Sequence, residues 1–326
     1  MCIRDSAQLE PYRQRRMIDR LAGNLGLRLI TSPTAQRLAA AGLKGIQTLR
    51  LDKLLAALPI TPRRIKRGLR LIPDRQPPRF THPATAKRSA ATLQRVRLFT
   101  GCTGDLFDRT TLNATQRLLE RLGYAIDIPT EQTCCGALHQ HNGEPGKASR
   151  LAQKNIAAFP GPEPVITIAS GCQARLKSYA TPHPEGTDFS DRVTDILGFL
   201  LARGNTGLEF RPVNTILALH IPCTQRNVLQ QAEVTAQVLA WIPGLKVITL
   251  NPNGGCCGAA GSYMLSQPQL SEPLGRQIAA TFMASGAQQL VTTNIGCALQ
   301  LRAALRDQHA DVEVCHPVTL IEGALK

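Results

Sequence analysis

The chain has few aromatic residues: one Trp, four Tyr and eight Phe, 4% of 326 positions. Base-stacking platforms are therefore scarce, no nucleic-acid motif accompanies them, and a nucleic-acid partner is not expected. No run of about 18 apolar residues occurs that could cross a bilayer, and the start lacks the charged-then-apolar order of a secretory signal, so the chain reads as cytoplasmic. A Gly-x-Gly-x-x-Gly fingerprint after a strand is missing, which removes the usual dinucleotide cradle. From Ala7 to Gln94 there is no cysteine and a single histidine, His82, leaving that stretch little to do chemistry with. The same stretch is short of acid. Residues 1–100 hold 21 of the 38 Lys and Arg but only 5 of the 23 Asp and Glu, so the formal charge of +15 belongs to an N-terminal arm.

What is present divides the chain in three. Residues 1–94 form a basic, mainly helical linker arm, in which Leu51, Leu54, Leu55 and Leu58 have the spacing of one helical face and Pro59 ends it. Prolines 62, 73, 77, 78 and 83 then predict short helices and extended connectors. A solvated surface, an anionic membrane and an acidic partner are the readings open to this arm. From Arg95 the pattern becomes strand, helix, strand, helix, strand: Arg95–Thr100, Leu112–Leu122, Ala125–Ile128, Ala148–Phe159 and Val165–Ala169. It recurs as Ile216–Leu219, Ala232–Trp241, Val247–Leu250, Pro273–Ala284 and Leu290–Thr293. The fold class expected is α/β, two tandem homologous parallel-sheet repeats over residues 95–210 and 211–326.

Ten cysteines punctuate this plan, and Cys2 stands apart from it. Cys102, Cys134, Cys135 and Cys172 in the first repeat answer to Cys223, Cys256, Cys257 and Cys297 in the second, and Gly136 and Gly258 follow the paired cysteines. Each set lies beyond predicted strands, at the carboxyl edge where the loops of a parallel sheet converge. Four thiolates per repeat are the soft, anionic donors that zinc or an iron–sulfur cluster needs, and the spacing leaves both open. A glycine after each pair permits backbone conformations closed to other residues. His139 and His141 read as part of a polar loop, with tuning or ligating a cluster as the alternative; Cys315 reads as structural, Trp241 as core, and His220 is a candidate to support the second set.

The segments Thr100-Gly-Cys102, Thr133-Cys-Cys-Gly-Ala137, Ala169-Ser-Gly-Cys172, His220-Ile-Pro-Cys223, Gly255-Cys-Cys-Gly-Ala259 and Asn294-Ile-Gly-Cys297 resemble the iron–sulfur subunits of bacterial glycolate oxidases. These belong to a wider cysteine-rich family to which heterodisulfide reductases also contribute a subunit. The resemblance implies a role as electron-transfer subunit, with the eight cysteines as ligands, a flavin-bearing glycolate oxidase subunit as partner and a quinone beyond it. Peripheral association with the inner face of the cytoplasmic membrane is the companion expectation. Many relatives end each copy in Cys-x-x-Cys, whereas this chain has Cys172-Gln-Ala-Arg175 and Cys297-Ala-Leu-Gln300, so an ordinary [4Fe-4S] cluster held by four thiolates is expected, with zinc at one site as the alternative. The ferredoxin-like domain usual at the start of such subunits is not found, and the chain reads as a member lacking it. A lactate-utilisation or glycerol-3-phosphate dehydrogenase iron–sulfur subunit is the rival within the family. A zinc-stabilised scaffold without redox role is the rival outside it.

Overall fold

Strands that pair in parallel need a crossover between them, and the helices that separate these short apolar runs supply it. A computed structural model of the chain has this arrangement; it describes residues 26, 27, 31, 32, 35, 42, 63–72, 77, 78, 94–310 and 312–326. The helix expected over Leu51–Leu58 and the opening with Cys2 lie outside the described residues. The first sheet contains β1 (Arg95–Phe99), β2 (Ala125–Asp127), β3 (Val165–Thr167) and β4 (Val193–Asp195), ordered β2-β1-β3-β4 and parallel throughout. The second contains β5 (Ile216–Leu219), β6 (Lys246–Thr249), β7 (Gln289–Val291) and β8 (Val314–Cys315), in the equivalent order β6-β5-β7-β8. The fold is α/β, as expected, and duplicated.

No sequence pattern announces the fourth strand of each sheet. β4 has three residues and runs straight into a helix, while β8 has two, too few to display an alternation. Both are sheet edges, held by pairing with β3 and β7 rather than by their own periodicity.

Among the described residues the helices are α1 (Arg63–Arg70), α2 (Gly101–Phe107), α3 (Arg109–Arg121), α4 (Ala137–His141), α5 (Pro145–Ala158), α6 (Ser170–Lys177), α7 (Thr187–Arg192) and α8 (Ile196–Arg203). The second repeat adds α9 (Val234–Leu239), α10 (Tyr263–Ser266), α11 (Pro268–Ala284), α12 (Ile295–Arg306) and α13 (Pro317–Ala324). Helix α3 of the first repeat packs on α13 of the second, and α8 on α9. One core joins Leu98, Leu118, Ile166 and Leu200 to Leu217, Val238, Val291 and Ile321, so the repeats share an apolar interior. Each of these fully buried side chains contributes about 1.5–3 kcal/mol. Two further clusters cover the outer faces, one around Phe99, Phe159 and Tyr179, the other around Ile278, Phe282 and Leu301. Both sheets are thus covered on two sides, and their free margins are the carboxyl edges.

Helix α13 shows how burial fixes a protonation state. His316 caps it, with Nδ1 accepting from the Val318 amide at 3.1 Å, so the ring must be neutral at that atom. Burial pushes its pKa down from 6.5 to about 3. A buried neutral histidine contributes stability that is complete above its unfolded value and is lost as pH falls toward the folded one. His316→Asn keeps a capping acceptor and loses the titration. We expect urea unfolding to show a shallower loss of stability below about pH 6.5, by up to about 1.4 kcal/mol per pH unit. An unchanged slope would show that His316 titrates alike in both states.

Candidate metal centres

The order β2-β1-β3-β4 places a switch point beside β1, where successive crossovers leave in opposite directions and the loops part to form a crevice. Cys102 lies in the first turn of α2 after β1, Cys134 and Cys135 in the loop after β2, and Cys172 in the first turn of α6 after β3. Their sulfurs meet. Cys102 Sγ is 3.3 Å from Cys134 Sγ, and Cys135 Sγ is 3.5 Å from Cys172 Sγ. In the second repeat Cys257 Sγ is 2.9 Å from Cys297 Sγ, and Cys223 interacts with Cys256. The eight cysteines fall into two groups, by repeat and not across repeats. Each group is strung as linked pairs, and among the described residues no three such side chains are gathered around one point as a single ion would require.

The groups differ in cover. Cys102, Cys134 and Cys135 are buried and Cys172 is half-buried, whereas Cys223 is exposed and Cys256 half-buried beside buried Cys257 and Cys297. Cys223 precedes a π-turn, Thr224–Val228, where the first repeat has the regular helix α2. In both groups one thiol is held lower than its neighbours. Hydrogen bonds from Cys134 and Cys172 hold Cys135 well below the ordinary thiol range, and Cys223 and Cys257 do the same for Cys256. Their donors Cys172, Cys223 and Cys257 are pushed up in return, first by that hydrogen bonding and then by burial, and Cys134 is pushed up first by its hydrogen bond with Cys102.

Each Cys-Cys-Gly turn is closed by its glycine. Gly136 has φ 82° and Gly258 φ 86°, and their amides donate to Cys134 Sγ at 3.4 Å and Cys256 Sγ at 3.3 Å. Around the first turn Asn155 Nδ2 donates to the Cys134 carbonyl at 3.1 Å, and Tyr179 Oη to the Cys135 carbonyl at 2.8 Å. Around the second, Ser271 Oγ donates to the Gly258 carbonyl at 2.8 Å while Gln300 Nε2 donates to Ser271. Gln132 ties the loop after β2 to Leu98 and Thr100 of the first strand, and Asn251 ties the loop after β6 to Ile221. Sequence reasoning singles out none of these clamping residues. Gln132 and Asn251 stand near the cysteine pairs in sequence, but Asn155, Tyr179, Ser271 and Gln300 reach the turns only through helix packing.

Two buried nitrogens whose side chains act electrostatically on the thiols have no hydrogen-bond partner. Arg175 Nε has no hydrogen-bond partner, and its charge helps hold Cys135 low. His220, fully buried, has Nδ1 3.1 Å from Thr292 Oγ1 and Nε2 without a partner, and it interacts electrostatically with Cys256. Burial holds His220 near pKa 4. It therefore stands beside the second set as a neutral ring. His139 does not face a thiol: its Nδ1 is 2.6 Å from Glu144 and its Nε2 3.1 Å from Thr31 of the arm. Burial lowers the pKa of His141, which senses Cys135 and Arg175. Cys315 lies in β8, where burial pushes its thiol up to about 11, and Trp241 packs on the core.

A family model described as a cysteine-rich domain, CCG, matches residues 96–177 and 217–302, the two repeats. The probable glycolate oxidase iron-sulfur subunit of Bacillus subtilis is 34% identical over 222 residues, which cover 65% of this chain and 50% of that protein. The chain thus spans half the length of that relative. Lactate utilization protein A of Macrococcus caseolyticus is 26% identical over 242 residues, covering 71% of this chain and 98% of that protein. Among solved structures, a hypothetical protein from Helicobacter pylori superposes with a TM-score of 0.52 at 11% identity, over 83% of this chain and 55% of that one, a likeness of fold alone.

The glycines set a direct test of the turn geometry. A Cβ on Gly258 would stand 2.4 Å from the Ser271 carbonyl oxygen, whereas one on Gly136 would stand 3.1 Å from that of Ala148. Either alanine meets the left-handed penalty of about 1–2 kcal/mol, and the second turn adds a backbone collision. We expect Gly258→Ala to lower the thermal midpoint more than Gly136→Ala. Equal losses would contradict the closer approach.

Proposed function

The chain belongs to the cysteine-rich CCG domain family, and from that premise we propose that it is an iron–sulfur electron-transfer subunit of a flavin-dependent glycolate-type 2-hydroxy-acid dehydrogenase. Cys102, Cys134, Cys135 and Cys172 would hold one [4Fe-4S] cluster, and Cys223, Cys256, Cys257 and Cys297 another. The observation that carries the reading is that each repeat strings its four thiols in linked contact at one sheet edge, with the buried Arg175 Nε lacking a partner beside the first set. Such an N–H fits a group that brings acceptor atoms of its own, as the sulfides of a cluster do and a bare zinc ion does not.

An iron–sulfur cluster bound there supplies one-electron chemistry. The residues around it set its conditions. Gly136 and Gly258 donate to ligand sulfurs, and Arg175 offsets negative charge at the first set. Hydride removal from a 2-hydroxy acid takes a two-electron acceptor, which a separate flavin subunit would provide, with a quinone beyond. The basic charge of the N-terminal arm suits contact with an acidic partner or an anionic membrane face, and among the described residues no helix is long and apolar enough to cross a membrane. The lactate-utilisation reading draws on the near-complete span of the Macrococcus relative, and the choice between the two rests on which flavin partner the chain accepts electrons from.

Anaerobically purified protein should contain iron and acid-labile sulfide in similar amounts, and Cys135→Ser or Cys257→Ser should each remove roughly half of both, one of two sites. Stoichiometric zinc without sulfide would support the scaffold reading instead. Mixed anaerobically with glycolate, the chain alone should keep its visible absorption, and bleaching should follow when the flavin subunit is added. Bleaching without that subunit would overturn the assignment.

A further inference from the structure

One helical turn beyond the last cysteine of each set, the repeats carry different residues in the same register: Arg175 after Cys172 and Gln300 after Cys297. Positions three apart share a helix face, so each of these side chains lies on the flank of its thiol set. In the first repeat the guanidinium belongs to the repeat itself, resting 5.3 Å over the Tyr179 ring and 3.1 Å from Ser178 Oγ. In the second the place is taken by a neutral amide, and a guanidinium arrives from the arm. Arg67 of α1 donates through Nη2 to Gln300 Oε1.

We infer that Arg67 is a positioning residue for the second thiol set, and that arm docking and the integrity of that set are coupled through it. The inference rests on the iron–sulfur reading only for what the set binds. The contacts form a continuous relay. Arg67 donates to Gln300, Gln300 Nε2 donates to Ser271 Oγ at 3.0 Å, Ser271 Oγ donates to the Gly258 carbonyl at 2.8 Å, and the Gly258 amide donates to Cys256 Sγ at 3.3 Å. Arg67 is 3% exposed, an expensive site for a cation, and Glu272 and Asp307 at 3.9 Å offset its charge. Beside it Leu71 is buried in the same cluster as Cys257 and Cys297. An anchor for the arm alone has a cheaper solution in view, since the half-exposed Arg70 already pairs with Asp307 at 2.6 Å. Placing a second arginine in the interior, on the amide that braces the cysteine turn, gives the second set a guanidinium brace that the first carries within its own repeat.

The test uses the full chain with Arg67→Met, Arg67→Lys and, as a control for arm attachment, Arg70→Met. In metal-free protein, mass spectrometry follows alkylation of Cys256 and Cys257 against that of Cys134 and Cys135. Arg67→Met should speed alkylation of the second pair by about fivefold, the equivalent of one net hydrogen bond, and leave the first pair unchanged. Arg67→Lys should recover part of the protection, and Arg70→Met should change neither pair. In metal-loaded protein, Arg67→Met should shift the midpoint potential of one cluster signal and leave the other. Where Arg67→Met does not fold, Gln300→Met breaks the same relay and is read the same way. Equal acceleration of both pairs, no acceleration, or an Arg70→Met result matching Arg67→Met would overturn the inference. Wild-type protein without iron would end the iron–sulfur reading while the alkylation comparison still decides the coupling.

Discussion

Cysteine sulfurs strung in contact along one sheet edge repel as soon as they ionise, and most of the architecture around them follows from that constraint. Two thiolates at the 3.5 Å separating Cys135 from Cys172 would repel by about 5 kcal/mol at an effective dielectric near 20. Hydrogen bonds among the thiols relieve that repulsion, holding one thiol in each set low while its neighbours are driven up. The surrounding donors point the same way. Backbone amides at Gly136 and Gly258 and the Arg175 guanidinium all bring donating or positive groups to the sulfurs. This is an environment built for anionic sulfur.

The parallel sheet supplies the geometry for it. Covering both faces of each sheet with helices leaves the carboxyl edge as the place where loops from distant parts of the chain can meet, and the strand order opens a crevice there. Duplication then gives two such edges. The repeats also meet near these edges: Ser170 donates its amide to the Thr293 carbonyl at 2.9 Å, and Asn294 Nδ2 lies 3.4 Å from Ser170 Oγ, so the helices bearing Cys172 and Cys297 touch close to their first turns.

Duplication did not make the sites equal. The first is buried and braced from within its own repeat by Asn155, Tyr179 and Arg175. The second exposes Cys223, replaces a regular helix by a π-turn, and takes part of its bracing from the arm. A basic stretch that composition describes only as charge thus divides into different jobs, because Arg67 is buried on Gln300 while Arg70 remains at the surface.

The α/β class, the duplication, most of the strands and the division of eight cysteines into two groups are all legible in the sequence. Each is a local or periodic signal: β5 was legible to the residue, and the recurring Cys-Cys-Gly spacing survives without knowledge of any contact. The tertiary structure alone decided the rest. Strands β4 and β8 are too short to carry a pattern and exist because β3 and β7 offer them an edge. Asn155, Tyr179, Ser271 and Gln300 look like ordinary polar or aromatic helix residues until packing brings them onto a cysteine turn. The contact between Arg67 and Gln300 joins residues 233 positions apart. No periodicity encodes such a pair, because it depends on where two independently formed helices come to rest, and only the packed chain sets that.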